Sequence, residues 1–247
     1  RRMRFGIGVG VCDCRAAPWT PSRLSGLRLW VTAGPAWCFS DAGGAAACGD
    51  GDAVYVWKDR SGNAYDLSQS SGGKRPLLVS SGGAWRVRFD GADDMLRNTS
   101  VPDPGNTLSM FAVHQMGATA GIVVYKGGVD GLGLRAQDPT TGSVLYEGVG
   151  DNSFAADDSS SALRLWQFRR NPSSLQVWSE STLRLDAAGG SPSASQPTTI
   201  FSAGNGGNGT NKAYGGDVCE AVVFGGYVSD ADRLLVEAYL RAAWGVA

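Results

Sequence analysis

The groups in this sequence able to do acid–base, nucleophilic or metal chemistry are its carboxylates, one imidazole and five thiols. There are only four glutamates: Glu147, Glu180, Glu220 and Glu237. A retaining glycosidase needs two carboxylates facing one sugar ring, about 5 Å apart, which on a strand means acidic residues spaced two apart. Glu147 closes an apolar run alone, Glu237 falls in a helical pattern, and Asp157-Asp158 lie in a serine-rich turn. The pattern therefore predicts no hydrolytic pair and no enzyme. The single histidine, His114, sits between Val113 and Gln115, and no Gly-x-Ser-x-Gly elbow accompanies it. It reads as a hydrogen-bonded sheet residue rather than a catalytic base.

The run Asp90-Gly91-Ala92-Asp93-Asp94 places three hard oxygen donors on one turn. Asp90, Asp93 and Asp94 are thus a candidate calcium site, although no EF-hand spacing is present. The same aspartates suit the bonding of turn amides around Gly91, and both readings stand. No Cys-x-x-Cys pair occurs among Cys12, Cys14, Cys38, Cys48 and Cys219, and one histidine completes no zinc site. Cys38 and Cys48 flank a Gly/Ala-rich loop and are candidates for a disulfide. Among the eight Trp and seven Tyr, Trp30, Trp57, Trp85 and Trp166 alternate within strand patterns and read as core. Tyr125, Arg135 and Tyr146 are the candidates for stacking and bonding a glycan, with the covering of sheet edges as the alternative.

These residues need a scaffold, and composition bounds it. Thirty-six glycines in 247 residues, about twice average usage, lie scattered among short apolar runs, which favours a β-sandwich or barrel. The net charge of −1 with interspersed signs gives no electrostatic footprint for nucleic acid. No apolar run approaches the roughly 18 residues of a membrane span. Residues 1–26 read as an extended N-terminal arm, because Pro18, Pro21 and several glycines oppose regular structure. Period-two alternation marks strands at Leu27–Thr32 and Trp85–Phe89, and further strands are expected at Val54–Trp57, Leu108–Gln115, Gly121–Lys126, Leu132–Gln137, Ser143–Tyr146, Leu163–Arg169, Leu175–Ser179, Thr198–Ala203 and Ala221–Phe224. Residues 33–53 and most of 186–217 read as loops. Glu220 is expected to pair with Arg88 or Arg75. One helix is expected, with Ser229 as N-cap, Asp232 at N3 and Gly245 in the C′ role.

An ordered set of motifs then stands out: Leu29-Trp30, Trp57-Lys58-Asp59-Arg60-Ser61-Gly62-Asn63, Arg75-Pro76, Phe89-Asp90-Gly91-Ala92-Asp93-Asp94-Met95-Leu96, Gly216–Phe224, Ser229–Arg233 and Trp244-Gly245. The set resembles the concanavalin A-like, laminin G-like domains of bacterial surface and phage virion proteins. The resemblance covers about residues 27–245. It implies an all-β, two-sheet antiparallel jelly-roll sandwich over 27–247, carrying one C-terminal helix and preceded by the irregular arm. The function it implies is that of a non-catalytic virion decoration or fibre protein, oligomeric in the particle. Its arm would dock on other virion proteins through Phe5, Ile7, Val9, Cys12 and Cys14, and its sandwich would face a host-surface glycan. A carbohydrate-binding adhesion module of a bacterial surface protein is the alternative. No nucleic acid or membrane partner is implied.

Overall fold

The computed structural model describes residues 18–102, 107–119, 121–126, 132–138, 143–147, 152–155, 162–188, 199–203 and 213–246. The proposed docking residues Phe5, Ile7, Val9, Cys12 and Cys14 lie outside them. In chain order the strands are β1 (Leu27–Thr32), β2 (Cys38–Phe39), β3 (Val56–Trp57), β4 (Leu67–Ser68), β5 (Leu77–Ser81), β6 (Ala84–Asp90), β7 (Leu96–Val101), β8 (Leu108–Thr119), β9 (Gly121–Lys126) and β10 (Leu132–Asp138). They continue with β11 (Ser143–Glu147), β12 (Asn152–Ala155), β13 (Arg164–Asn171), β14 (Ser174–Ser179), β15 (Thr182–Ala187), β16 (Thr199–Ala203) and β17 (Gly215–Phe224), followed by α1 (Asp230–Trp244).

They form two antiparallel sheets, as expected for an all-β sandwich with a C-terminal helix. The first runs β15-β14-β13-β8-β17-β6-β5, and the second β12-β11-β10-β9-β16-β7-β4-β3-β2. Strand β17 organises the first sheet. One edge pairs with β8 along its length. The other pairs with β6 at Gly215–Val218 and with β1 at Glu220–Phe224. A register shift between Val218 and Glu220 separates the two halves, and such a bulge re-aims the side chains around it.

The first sheet is buried on both faces, which explains its nearly continuous apolar strands. One set of its side chains, including Leu29, Val87, Phe89, Met110, Trp166 and Phe168, packs in the core shared with Trp57, Leu67 and Leu96 of the second sheet. The other set, including Trp30, Phe111, Leu165, Val222 and Phe224, meets Val236 and Leu240 of α1. The helix starts as expected. Ser229 Oγ accepts the Asp232 N–H at 3.1 Å, and Gly245 closes the C-terminus at φ +65° with its N–H on the Arg241 carbonyl. Ser229→Ala is expected to cost about 1 kcal/mol, read as a lowered urea midpoint with an unchanged slope. An unchanged midpoint would remove the cap from the account. Among the described residues no helix is long and apolar enough to cross a membrane.

Two expectations change here. The end of the arm is not extended: Pro21–Arg23 forms a 3-10 turn, and Trp19 and Leu24 pack on the helix-side core. Proline suits this position because its fixed φ and missing N–H match the first residue of a helical turn. The Cys38–Cys48 disulfide is also absent. Both are buried free thiols, joined instead by the Cys48 N–H donating to the Cys38 carbonyl at 2.9 Å, while the Cys48 thiol donates to the Ala53 carbonyl at 3.8 Å. Burial pushes the Cys38 thiol up to about 12 and Cys48 to about 11.

Candidate functional site

At one end of the first sheet the β6–β7 turn folds over the start of β17. The turn is built by aspartates acting on backbone. Asp90 Oδ1 accepts the N–H groups of Ala92, Asp93 and Asp94 at 2.8, 3.3 and 3.4 Å, and Asp94 Oδ2 accepts the Asp90 N–H at 2.9 Å. Gly91 holds φ +79°, and a Cβ there would fall 2.6 Å from Thr119 Oγ1 and 3.2 Å from Gly215 Cα. The expected calcium ligands do meet: carboxylate oxygens of Asp90, Asp93 and Asp94 lie within 4.8 Å of one another. Much of their bonding capacity already serves the turn, and Asp93 also meets Lys74 at 3.6 Å. The arrangement matches the turn-building reading of these aspartates.

Beside this turn lies an open cleft of about 470 Å³. Gly117, Gly215 and Gly216 are among its lining residues, where β8 and β17 approach each other closely. A Cβ on Gly117 would lie 2.6 Å from the Gly215 carbonyl oxygen, and one on Gly216 would lie 2.5 Å from the Gln115 carbonyl oxygen. The polar wall comes from three strands. Arg88 of β6 donates to Asp217 of β17 through Nε at 2.7 Å and Nη2 at 2.9 Å. Arg86 donates to Gln115 of β8 and approaches Asp217 at 3.5 Å. Asp94 completes the wall. Burial pushes its carboxyl up to about 6, against the Asp90 N–H that favours the ionised form, and the charges of Asp90 and Asp93 add to the rise. Buried Tyr214 donates to the Gln115 carbonyl at 2.7 Å, and His114 Nδ1 lies 3.1 Å from the Tyr214 hydroxyl. His114 is a hydrogen-bonded residue of the sheet interior.

The glycan candidates lie elsewhere. Tyr125 pairs with Gly133 and Ser202, Arg135 with Leu145 and Ile122, and Tyr146 with Leu134 and Asn152, all in the second sheet. Their side chains fall outside the description. Sequence reasoning missed Arg88, Gln115 and Asp217. The available signal was Gly215-Gly216-Asp217, a pair of glycines directly before an acidic residue inside an apolar strand.

Glu220 corrects a further expectation. It pairs with neither Arg88, which belongs to Asp217, nor Arg75, which donates to the Gln69 and Ser70 carbonyls. Buried under α1, it accepts Trp30 Nε1 at 2.5 Å, Trp244 Nε1 at 2.6 Å and the Tyr239 hydroxyl at 3.0 Å. The bulge in β17 places it on the helix side.

No family model and no curated protein matches the chain. Solved structures do match. A family 54 glycoside hydrolase, an α-L-arabinofuranosidase soaked with a cyclic sulfate inhibitor, aligns with TM-score 0.57 at 19% identity, over 78% of this chain and 51% of that one. Trypanosoma rangeli sialidase aligns with TM-score 0.58 at 10% identity, over 89% of this chain and 33% of that one. Domain 4 of an extracellular family 43 arabinanase from Geobacillus stearothermophilus, in complex with arabinotriose, aligns with TM-score 0.56 at 11% identity, over 85% of this chain and 97% of that domain. The chain thus spans about half of the arabinofuranosidase and a third of the sialidase.

At these identities the likeness establishes the fold, and it overturns two of the expectations above. The reading as a virion decoration or fibre protein, or else a surface adhesin, gives way, because these structures are carbohydrate-active proteins. The reading as a non-enzyme gives way with it, since the same sandwich occurs within glycosidases. Asp94 and Asp217 reach one cleft from a turn and a strand far apart in sequence, a meeting that no spacing along one strand displays.

Proposed function

We propose that this chain is the carbohydrate-engaging jelly-roll domain of a glycan-processing protein, with its ligand in the cleft between the β6–β7 turn and the β8–β17 pair. One observation carries the reading: a cleft whose lining brings Arg88, Asp217, Gln115 and Asp94 together. Carboxylate, amide and guanidinium groups supply the directional bonds that sort hydroxyls, as sites with few convergent polar groups do. The sandwich shared with a domain seen in complex with arabinotriose supports it, as do the motifs that resemble concanavalin A-like, laminin G-like domains.

Calorimetric titration with arabino-oligosaccharides tests the reading. Saturable binding is expected, with at least a tenfold loss in Arg88→Ala. Arg88 is half exposed, so the variant should keep the fold. Binding unaffected by Arg88→Ala would move the site away from this cleft, and no binding would remove the reading. Loss of binding in EDTA would assign calcium to Asp90, Asp93 and Asp94. Retained binding leaves them to the turn.

A second reading is favoured by Asp94. A carboxyl held near 6 in a cleft that also contains an ion-paired carboxylate is placed for general acid catalysis. Hydrolysis by this chain would release new reducing ends from arabinan, fall as pH rises above about 6, and stop in Asp94→Asn. Absence of new reducing ends from the wild-type chain would eliminate it.

A further inference from the structure

The charge arrangement of the cleft, taken with the reading that it holds a glycan, goes one step further. Its charged lining consists of three carboxylates, Asp90, Asp94 and Asp217, and one guanidinium, Arg88. That guanidinium is committed: two of its donors meet the two oxygens of Asp217 at 2.7 and 2.9 Å. A bidentate pair of this geometry uses the fork an arginine would otherwise offer to a ligand carboxylate. Arg86, next along the strand face, faces Asp217 and Gln115 rather than the cleft. Lys74, a further cation beside the turn, meets Asp93 at 3.6 Å.

We infer that the cleft selects neutral, hydroxyl-rich sugars and rejects anionic ones such as sialic acids and uronates. The carboxylates offer acceptors to sugar O–H groups. Gln115, with its oxygen taken by Arg86, has its amide N–H groups to donate. A ligand carboxylate would have to displace Asp217 from Arg88 and remain beside Asp90 and Asp94. The repulsion acts at contact distance, well inside the screening length of physiological salt. The chemistry here fits pentose and neutral hexose ligands rather than sialosides.

The test compares arabinotriose, 3′-sialyllactose and a galacturonate trimer on the wild-type chain and on Asp217→Asn. The amide keeps the size of Asp217 and removes its charge, releasing Arg88 and Arg86. Arabinotriose is expected to bind the wild-type chain at least tenfold more tightly than either anionic sugar. Asp217→Asn is expected to narrow that gap at least fivefold, with its folding checked by thermal melting. Wild-type binding of an anionic sugar as tightly as arabinotriose would overturn the inference and leave the glycan reading intact. An unchanged gap in a folded Asp217→Asn would overturn the role given to the Arg88–Asp217 pair. Failure of all three sugars to bind would instead overturn the glycan reading itself.

Discussion

Glu220→Ala is expected to lower stability by about 3–5 kcal/mol, the range for breaking a buried charged network. The two indole N–H groups of Trp30 and Trp244 and the Tyr239 hydroxyl all converge on this one carboxylate. Removing it leaves buried donors without an acceptor, at about 1–3 kcal/mol each before any water enters. For a chain of this size that corresponds to a fall in Tm of roughly 10 °C. Glu220→Gln should lose less, because its amide oxygen still accepts while its amide nitrogen faces a donor. The pH dependence has a definite sign. Burial pushes the Glu220 carboxyl above its ordinary 4.5, outweighing the donors from Trp30, Trp244 and Tyr239 and the charge of Arg60. A raised acid pKa gives stability that is fully present below the unfolded value and is lost as pH rises through the folded value. The stability advantage of wild type over Glu220→Gln should therefore shrink as pH rises above 4.5. Denaturant melts of both proteins across that range check it; a gap that widens with pH would reverse the assignment.

Gly216→Ala is expected to cost about 2–4 kcal/mol and to weaken glycan binding at the same time. The added methyl would lie 2.5 Å from the Gln115 carbonyl oxygen and 2.6 Å from the Tyr214 hydroxyl. Gln115 is backbone of the neighbouring strand and Tyr214 is fully buried, so neither can withdraw cheaply, and overpacking of this kind strains the structure around it. The strain falls where β17 pairs with β8, among residues that line the cleft. Gly226→Ala is the control: a Cβ there meets nothing within 4 Å, and an effect within about 0.5 kcal/mol is expected. Equal effects for the two substitutions, read from equilibrium unfolding, would refute the close approach at Gly216.

The parts of the fold legible in the sequence are those with dense local signals. Leu27–Thr32 and Gly121–Lys126 have the bounds their patterns indicated, and the helix has its cap and terminal glycine where Ser229 and Gly245 placed them. The strands Leu163–Arg169 and Leu175–Ser179 were also visible, and in the turn that joins β13 to β14 Asn171 Oδ1 accepts the N–H groups of Ser173 and Ser174. Strands β5, β7 and β15 were not. Leu77–Ser81, Leu96–Val101 and Thr182–Ala187 each bury two residues or fewer, so their hydrophobic alternation is weak. They are strands because neighbours pair with them.

The site was harder to see for a topological reason. Its turn was readable at Asp90–Asp94, where all the bonding is local. Its wall was not, because Arg88, Gln115 and Asp217 come from strands that become neighbours only when β17 inserts between β6 and β8. No spacing along the chain encodes that meeting. Glu220 was misassigned for a related cause: β6 pairs with β17 only at Gly215–Val218, and from Glu220 onward the neighbour on that edge is β1, so Arg88 is not beside it.

The most direct test of the central claim is amide chemical-shift mapping of the folded protein during titration with arabinotriose. The account predicts saturable shifts at 88–94 in the β6–β7 turn, at 115–119 in β8 and at 215–217 in β17, absent in Arg88→Ala. Shifts confined to another surface, such as the polar cleft lined by Tyr55, Gln69 and Arg97, or no shifts at saturating sugar, would contradict it.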